Sequence, residues 1–374
     1  MEGNLIRTFI GCMWIAAIVI AAALSSSAQS GDSLVQCWSY REAVSVNGGL
    51  LVDNMNVYTV DAQERVVALD RKNGSVTWTS ELGGSVVLPI RSINSTIIVV
   101  TRTNSPNASG TAFIRAISKA TGITNWVSQL PSAQSYKLAG DERTIFVLAQ
   151  DGPLVAVEPS NGAVRWSRDG SAFAGKESYL GANWIVRNKG PKTIEVVSLE
   201  TWRTLGILQL SLLPKVVVSG RDGVLVAGDS RGNLESISLD RLSKNWKYKA
   251  GGAISHLILR DGNVIAASAD NFVYSLSLSS GNVEWKRRMP GRVSSIGTLA
   301  DSRLALTVVG EKTAYILDLS DGKFGDRVAL GGDEEFVGYP LAGDDRFIVA
   351  LTNQGVTAFS AGCAARKAAD TAAA

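Results

Sequence analysis

The chain has 374 residues, of which 45% are hydrophobic and 19% charged, and its 37 Lys and Arg against 34 Asp and Glu give a net charge of +3. This composition is typical of a globular protein and excludes a disordered or collagen-like chain. No basic block suggests a nucleic-acid partner, and the single histidine, His256, excludes most zinc sites.

The N-terminus has the pattern of a targeting segment. Residues 8–28 carry no charge, follow Arg7 and end in small residues at Ala28. This pattern predicts a secretory signal over residues 1–28, with cleavage after Ala28. The alternative is an uncleaved membrane anchor, because about 20 apolar residues suffice to cross a bilayer. Both alternatives export the rest of the chain to an oxidising compartment.

The rest of the chain repeats one pattern with a period of about 40 residues. Each copy has a β-branched run, a small and an apolar residue, a turn with glycine and then a tryptophan, as in Ala68, Leu69, Gly74 and Trp78. Two copies depart from the pattern, and we call them worn. The copy near residue 198 reaches Gly206 with no tryptophan in register, and the next copy is short and lacks the glycine. The pattern is typical of β-hairpins and predicts three or four antiparallel strands per repeat.

Counting the repeats predicts the architecture. The small-apolar strand occurs eight times, seven tryptophans or their replacements follow it, and the eighth, Trp38, precedes the first repeat. We therefore predict an all-β, eight-bladed β-propeller of four-stranded antiparallel blades over residues 34–361, closed by the N-terminal strand. Residues 362–374 are expected to form a disordered tail. The tryptophans expected to pack between neighbouring blades are Trp38, Trp78, Trp126, Trp166, Trp246 and Trp285.

The predicted closure also pairs two cysteines. In register with the first repeat, Cys363 takes the place of Asn73 and Cys37 takes the place of Thr77, on opposite arms of one hairpin turn. In an exported protein this arrangement predicts a disulfide that staples the seam of the ring. The alternative is two free thiols near the ends of the propeller.

The repeated Ala-Leu-Asp…Gly-x-x-x-Trp motif, first seen over residues 68–78, resembles the pyrroloquinoline-quinone-type (PQQ-like) β-propeller repeat. That family includes quinoprotein dehydrogenases and the non-enzymatic outer-membrane protein assembly factors of the BamB type. Because the propeller fills an exported chain, the resemblance implies the second type. It implies a monomeric, non-catalytic scaffold for a protein partner such as a β-barrel assembly complex. The expected location is the periplasm or the periplasmic face of the outer membrane, with an inner-membrane anchor as the alternative.

Two other functions stay open: a PQQ-dependent oxidoreductase, and a module that binds cell-surface glycans or peptides. Quinoprotein alcohol dehydrogenases often have a disulfide between adjacent cysteines, which this sequence lacks, and their metal needs several converging oxygen ligands. The acidic residues are expected mainly in turns, where they bond the turn backbone, as at Asp61, Asp229, Asp270 and Asp321. We predict no catalytic residue, cofactor or metal ligand, and a structural role for His256.

The most unusual segment is 205–213, which crowds leucine and isoleucine between the fourth and fifth repeats. In the assembly factors, a leucine-bearing connection in this region docks onto the barrel-insertion protein. Leu210 and Leu212 match the leucine spacing of that motif, although Leu213 stands where an arginine is expected, with Lys215 nearby. The resemblance therefore implies partner contacts at Leu210, Leu212 and Lys215. The alternative is that these leucines pack between blades, since exposed leucines would instead mark an interface.

Overall fold

The fold is given by a computed structural model that describes residues 34–103, 110–150, 152–170, 178–181, 183–219, 223–299, 302–344 and 347–363. The predicted signal or anchor lies outside these residues, as does the predicted tail from residue 364 onward. Within them, the strands form eight antiparallel sheets, which are the eight blades of a β-propeller. The predicted fold class is confirmed.

The blades follow one another along the chain, except that the first strand of the chain belongs to the last blade. Blade 1 consists of β2 (Leu51–Val52), β3 (Asn56–Val60), β4 (Arg65–Asp70) and β5 (Val76–Glu81). Blade 2 consists of β6 (Ser85–Val86), β7 (Arg91–Ile93), β8 (Thr96–Arg102), β9 (Ala112–Ser118) and β10 (Thr124–Leu130). Blade 3 consists of β11 (Tyr136–Gly140), β12 (Ile145–Ala149), β13 (Leu154–Val157) and β14 (Val164–Arg168). Blade 4 consists of β15 (Tyr179–Leu180), β16 (Trp184–Gly190), β17 (Thr193–Ser198) and β18 (Thr204–Gln209).

The second half of the ring has the same order. Blade 5 consists of β19 (Val216–Ser219), β20 (Val224–Gly228), β21 (Asn233–Ser238) and β22 (Ser243–Lys249). Blade 6 consists of β23 (Ile254–Arg260), β24 (Asn263–Ser268), β25 (Phe272–Ser277) and β26 (Val283–Arg288). Blade 7 consists of β27 (Val293–Leu299), β28 (Arg303–Val308), β29 (Thr313–Asp318) and β30 (Phe324–Ala329). Blade 8 consists of β31 (Phe336–Gly343), β32 (Ile348–Thr352), β33 (Gly355–Ser360) and, as its outer strand, β1 (Val35–Tyr40).

Burial explains why the blades stack. The second strand of a blade is covered on both faces by its neighbours, so it is a continuous apolar run: every residue of β12 and of β32 is buried. The fourth strand, at the outside, is covered on one face only, and in β5 only Ser80 is buried. A single sheet would leave one of its two apolar faces in water, and stacking removes that exposure.

The first strands of neighbouring blades contact one another around the ring, and β31 of blade 8 contacts β2 of blade 1. Blade 2 departs from the four-stranded pattern, because β6 and β7 both pair with β8. Pro89 lies in the break between them, and proline has no N–H to donate to a strand ladder.

The ring closes as predicted. Strand β1 pairs antiparallel with β33, with Trp38 opposite Ala358, so the first strand of the chain is the outer strand of the last blade. The predicted disulfide joins Cys37 to Cys363 with 5.3 Å between their Cα atoms and a sequence separation of 326 residues. It is confirmed, and it joins Cys363 to the outer strand of blade 8.

Among the described residues, no helix has the length and apolar character needed to span a membrane.

Candidate interaction surface

A repeated contact joins most neighbouring blades. A tryptophan on the outer strand of one blade lies against a glycine in the last turn of the next blade, and its indole N–H donates a hydrogen bond to a backbone carbonyl of that turn. We call this contact the Trp–Gly lock. The donor and acceptor pairs are Trp38 to Arg71 (2.9 Å), Trp78 to Lys119 (3.0 Å), Trp126 to Pro159 (2.9 Å), Trp246 to Leu278 (2.7 Å) and Trp285 to Leu319 (2.8 Å).

The lock requires glycine for two reasons. The five glycines have φ between 65° and 75°, a region that residues with a Cβ rarely adopt. A Cβ added to any of them would also lie 2.4–2.6 Å from a ring carbon of the facing tryptophan. These glycines are Gly74, Gly122, Gly162, Gly281 and Gly322.

The lock is absent between blades 3 and 4, although Trp166 occupies the tryptophan position. Trp202 stands where the next turn should have glycine, with φ of 56°, and its N–H closes that turn on the carbonyl of Ser198 (2.9 Å). The two indoles lie 6.3 Å apart, and the guanidinium of Arg168 lies 4.6 Å from the Trp166 ring centroid. Trp166 therefore packs against the next blade, but against a large ring in place of a glycine. Beside it, a cleft of about 720 Å³ opens between the two blades, with Phe146 in its wall.

Between blades 4 and 5 the large and the small residue of the lock have changed places. Gly206 occupies the tryptophan position, opposite Val196, and Leu242 occupies the glycine position with φ of 51°. A Cβ on Gly206 would lie 2.2 Å from a methyl carbon of Leu242. The gap that tryptophan fills elsewhere is therefore filled from the opposite side by leucine.

This exchange lies next to an exposed apolar pair on β18. Leu205 and Ile207, on either side of Gly206, are 41% and 55% exposed. At the corresponding positions the other outer strands mostly carry polar residues: Thr77 and Thr79, Asn125 and Val127, Arg165 and Ser167, Asn245 and Lys247, Glu284 and Lys286. The sequence shows both residues, but only the register of β18 shows that they face solvent.

The connection after β18 buries two of the three residues implied by the resemblance and exposes the third, Lys215. Leu210 and Leu212 are 2% and 3% exposed and belong to the core between blades 4 and 5, so the interpretation of packed leucines describes them. Their aliphatic side chains pack in this core together with Trp184 of β16. Leu213, in contrast, is 53% exposed, and Lys215 is exposed as well. Partner binding at this connection stays a prediction, with Leu213 and Lys215 as its accessible residues.

The connection is held in place from beneath. The buried carboxylate of Glu235 accepts hydrogen bonds from the backbone N–H of Ser211 (2.7 Å) and from its hydroxyl (3.2 Å). The ammonium of Lys244 lies 3.0 Å from the same carboxylate and donates to the Ser211 hydroxyl. Fixed hydrogen bonds of this kind lower the entropic cost of binding, because the loop is ordered before a partner arrives.

A second buried carboxylate supports Ile207. Its cross-strand neighbour Glu195 accepts a hydrogen bond from the hydroxyl of Thr204 (2.9 Å) and another from the guanidinium of Arg187. Burial raises the pKa of Glu195, but these two hydrogen bonds outweigh it and hold the pKa below its ordinary value. The exposed apolar pair thus lies on a strand whose polar neighbours are already satisfied.

The other singled-out residues lie in structural positions. Asp61, Asp229, Asp270 and Asp321 each accept a hydrogen bond from the backbone N–H two residues later, at 2.8–3.1 Å. His256 is half-buried on β23, its Nδ1 lies 3.0 Å from the Ser255 hydroxyl, and burial lowers its pKa. The described residues contain no group of three or more His, Cys, Asp or Glu arranged to hold a metal ion.

Comparison with known proteins gives a family and a fold. The sequence matches the family described as outer membrane protein assembly factor BamB over residues 24–287. No curated protein sequence matches the chain significantly. The fold is similar to that of BamB from Moraxella catarrhalis, with a TM-score of 0.59 and 15% identity over 88% of this chain and 100% of that one.

Two other solved structures have comparable TM-scores. The computationally designed Ika8 protein has a TM-score of 0.62 and 12% identity over 87% of this chain and 99% of its own. The C-terminal WD40 domain of Sif2 has a TM-score of 0.67 and 12% identity over 88% and 98%. At such low identity, these similarities establish the propeller fold alone.

Proposed function

Because the chain belongs to the family of outer membrane protein assembly factor BamB, we propose that it is an exported, non-catalytic propeller scaffold that binds a protein partner during assembly of proteins into the outer membrane. The same family gives its proposed place, on the periplasmic side of that membrane. Its partner would be a component of a β-barrel assembly complex.

The observation that carries this proposal is the exposed apolar surface of blade 4, which we define by Leu205 and Ile207 on β18 and by Leu213 in the connection that follows, with the exposed Lys215 two residues further along the chain. Protein interfaces combine an apolar centre that excludes water with polar or charged residues around it. Fully burying one such side chain contributes about 1.5–3 kcal/mol. These three side chains are 41–55% exposed, so about half of each is still to be buried. Together they supply about 2–5 kcal/mol of the about 8 kcal/mol to which a micromolar interaction corresponds.

The free edge of β18 gives the partner a second means of binding. As the outer strand of blade 4, β18 pairs on one side only, with β17. An unpaired edge can accept an additional strand through backbone hydrogen bonds, while alternate side chains of the edge strand give specificity. Leu205 and Ile207 alternate along this edge, so both modes of binding converge on the same strand.

The experiment is to purify the full chain from detergent-solubilised source membranes and to identify the proteins that co-elute with it. We expect a barrel-insertion protein in the eluate and expect the substitution Ile207→Glu to remove it. Val127→Glu is the matched control, because Val127 occupies the equivalent position of β10 in blade 2 and is 45% exposed.

The outcomes separate this proposal from the two other functions. Loss of the partner from the Ile207→Glu variant alone, with both variants folded, supports docking on blade 4. Equal recovery from both variants contradicts it. A chain that elutes without partners and carries a chromophore that absorbs in the near-ultraviolet would support a quinone-dependent oxidoreductase in its place, and a chain that retains a glycan would support the binding module.

A further inference from the structure

The outer strands of blades 5, 6 and 7 carry a row of cations. On each outer strand, the positions one and three residues after the tryptophan or its replacement face the same way, because side chains alternate along a strand. In these three blades, five of the six positions are cationic: Lys247 and Lys249 on β22, Lys286 and Arg288 on β26, and Arg327 on β30. We call these five residues the basic arc.

The rest of the ring lacks this feature. The same positions of blades 1 to 4 contain no cation and two acids: Thr79, Glu81, Val127, Gln129, Ser167, Asp169, Ile207 and Gln209. Blade 8 contributes one cation, Arg41, which lies 3.9 Å from Glu334. The charge of the chain is only +3 in total, so the arc reflects where the cations lie and not an excess of them.

The five cations are available to a ligand. All are exposed, and within the described part of the chain none has a carboxylate oxygen within 4.0 Å. Asp326, the neighbour of Arg327 in sequence, forms an ion pair with Arg303 at 2.6 Å. Lys286 lies over the Phe272 ring and Arg327 over the Tyr315 ring, so aromatic faces orient these two cations without neutralising them.

Two members of the arc line the same cleft. Arg288 of blade 6 and Arg327 of blade 7 line an open cleft of about 500 Å³, with Tyr315 and Phe324 in its wall. The Tyr315 hydroxyl donates to the Glu311 carboxylate at 2.6 Å. Two guanidinium forks that line one cleft suit the tetrahedral oxygens of a phosphate, to which arginine donates paired hydrogen bonds.

The chain reaches the propeller beside this cleft. The backbone N–H of Leu34, the first described residue, donates to the carbonyl of Arg327 at 3.0 Å, and its side chain packs with the core of blade 7. In the sequence, the uncharged segment 8–28 ends only six residues before Leu34. In the alternative in which this segment is an uncleaved anchor, a membrane that holds it is tied by a short length of chain to one end of the basic arc.

We propose that the basic arc docks the propeller on an anionic lipid bilayer and that Arg288 and Arg327 hold a headgroup phosphate between them. A bilayer is favoured over an acidic protein for two reasons. The cations are spread over the outer edges of three blades, which suits an extended surface with many charges, and the apolar segment is attached at the same place. Lys247 and Lys249 line a cleft with Ser211 and Leu212 of the connection after β18. Arg288 and Arg327 lie on blades 6 and 7, so variants of these arginines and of Ile207 let the two proposals fail independently.

The test is co-sedimentation of the full chain with lipid vesicles. One vesicle contains one part phosphatidylglycerol to two parts phosphatidylcholine, and the other contains phosphatidylcholine alone. The N-terminal segment contributes to both, so the difference between the two measures the arc. The double variant Arg288→Glu, Arg327→Glu is compared with Lys72→Glu, Arg203→Glu, which takes two exposed cations from other turns of the ring. Each pair changes the net charge from +3 to −1, because each substitution removes two charges.

Each cation near an anionic surface contributes about fivefold to membrane affinity, so loss of two lowers it by about 25-fold. We expect this loss in the arc variant on anionic vesicles only, an unchanged melting temperature, and little change in the control variant. Equal losses in the two variants, or equal binding of the wild-type chain to both vesicles, would overturn the proposal. It would also be overturned if polyglutamate bound the arc and anionic vesicles did not, because the arc would then be a protein interface. The Ile207→Glu variant should bind vesicles normally, whether or not it has lost its protein partner.

Discussion

Blades 1 and 2 meet through Trp78 packed on Gly122, whereas blades 4 and 5 meet through Gly206 packed beneath Leu242. Both arrangements fill the same gap, but from opposite sides. The first is repeated at five interfaces of the ring and encodes packing alone. The second occurs beside the exposed Leu205 and Ile207.

The difference shows where this fold has room for function. A Trp–Gly lock constrains both residues, since neither can change without a clash or a cavity. An exchanged or enlarged pair leaves the outer strand with a different surface, as at β18, or leaves a cleft, as beside Trp166 and Trp202. Departures from the repeat are therefore the places where a propeller of this family is expected to bind a partner.

The largest expected effect is at the seam inside blade 8, where β33 and β1 pair although they are not consecutive in the chain. The double variant Cys37→Ser, Cys363→Ser removes the cross-link over 326 residues. It should lower the free energy of unfolding by about 3–5 kcal/mol, because a disulfide restricts the unfolded chain. Denaturant unfolding measures this loss. Reduced wild-type protein should unfold at the same midpoint as the variant, and an unchanged midpoint would contradict the role of the disulfide.

The next effect is at a regular lock. Gly122→Ala should cost about 3 kcal/mol, because its Cβ would lie 2.5 Å from a Trp78 ring carbon and φ is 73°. Gly310→Ala is the control: φ is 78°, but no atom lies within 4 Å of the added Cβ, so only the backbone strain of about 1 kcal/mol remains. Thermal unfolding of the two variants compares these costs. Equal losses would show that contact with tryptophan adds nothing.

A smaller effect is expected at the exchanged pair. Gly206→Ala should cost about 2 kcal/mol, since its Cβ would lie 2.2 Å from Leu242, whose side chain can shift in part. Adding Leu242→Gly removes the side chain that the new Cβ meets, so the double variant should recover about 1 kcal/mol relative to the sum of the single variants. A double-mutant cycle from denaturant unfolding measures the coupling. Strict additivity would mean that the two residues do not fill one gap.

The smallest effect on stability is expected on the candidate surface itself. Ile207→Glu and Val127→Glu replace exposed residues at equivalent positions, so each should change the free energy of unfolding by no more than about 0.5 kcal/mol. Thermal unfolding of both variants checks this. A large loss for Ile207→Glu alone would show that Ile207 is a packing residue, and its effect on partner recovery would then say nothing about docking.

The repeat made most of the fold predictable. Eight copies of one phrase predict eight blades, and the position of Trp38 ahead of the first copy predicts closure by the N-terminal strand and, with it, the pairing of Cys37 and Cys363. This inference needs only a constant register, which the physics of stacked hairpins imposes on every blade.

The candidate site was less predictable, because the residues that fill the gap between blades change there although the strand register does not. The worn repeats showed that blades 4 and 5 are irregular, but Trp202 and Leu242 could not be recognised as replacements for glycine without the turn geometry. The alternation along β18 and the bend after it bury Leu210 and Leu212 and expose Ile207 and Leu213. The spacing of the leucines in the sequence does not distinguish those that are buried from those that are exposed.

The most direct test of the central claim is photo-crosslinking in living cells, with a photoreactive amino acid placed at position 207 or at position 127. The two positions have the same register on the outer strands of blades 4 and 2, so they differ only in the surface around them. We predict that a protein of the β-barrel assembly machinery is crosslinked at 207 and not at 127. Crosslinking at neither position, or equally at both, would contradict a docking surface on blade 4.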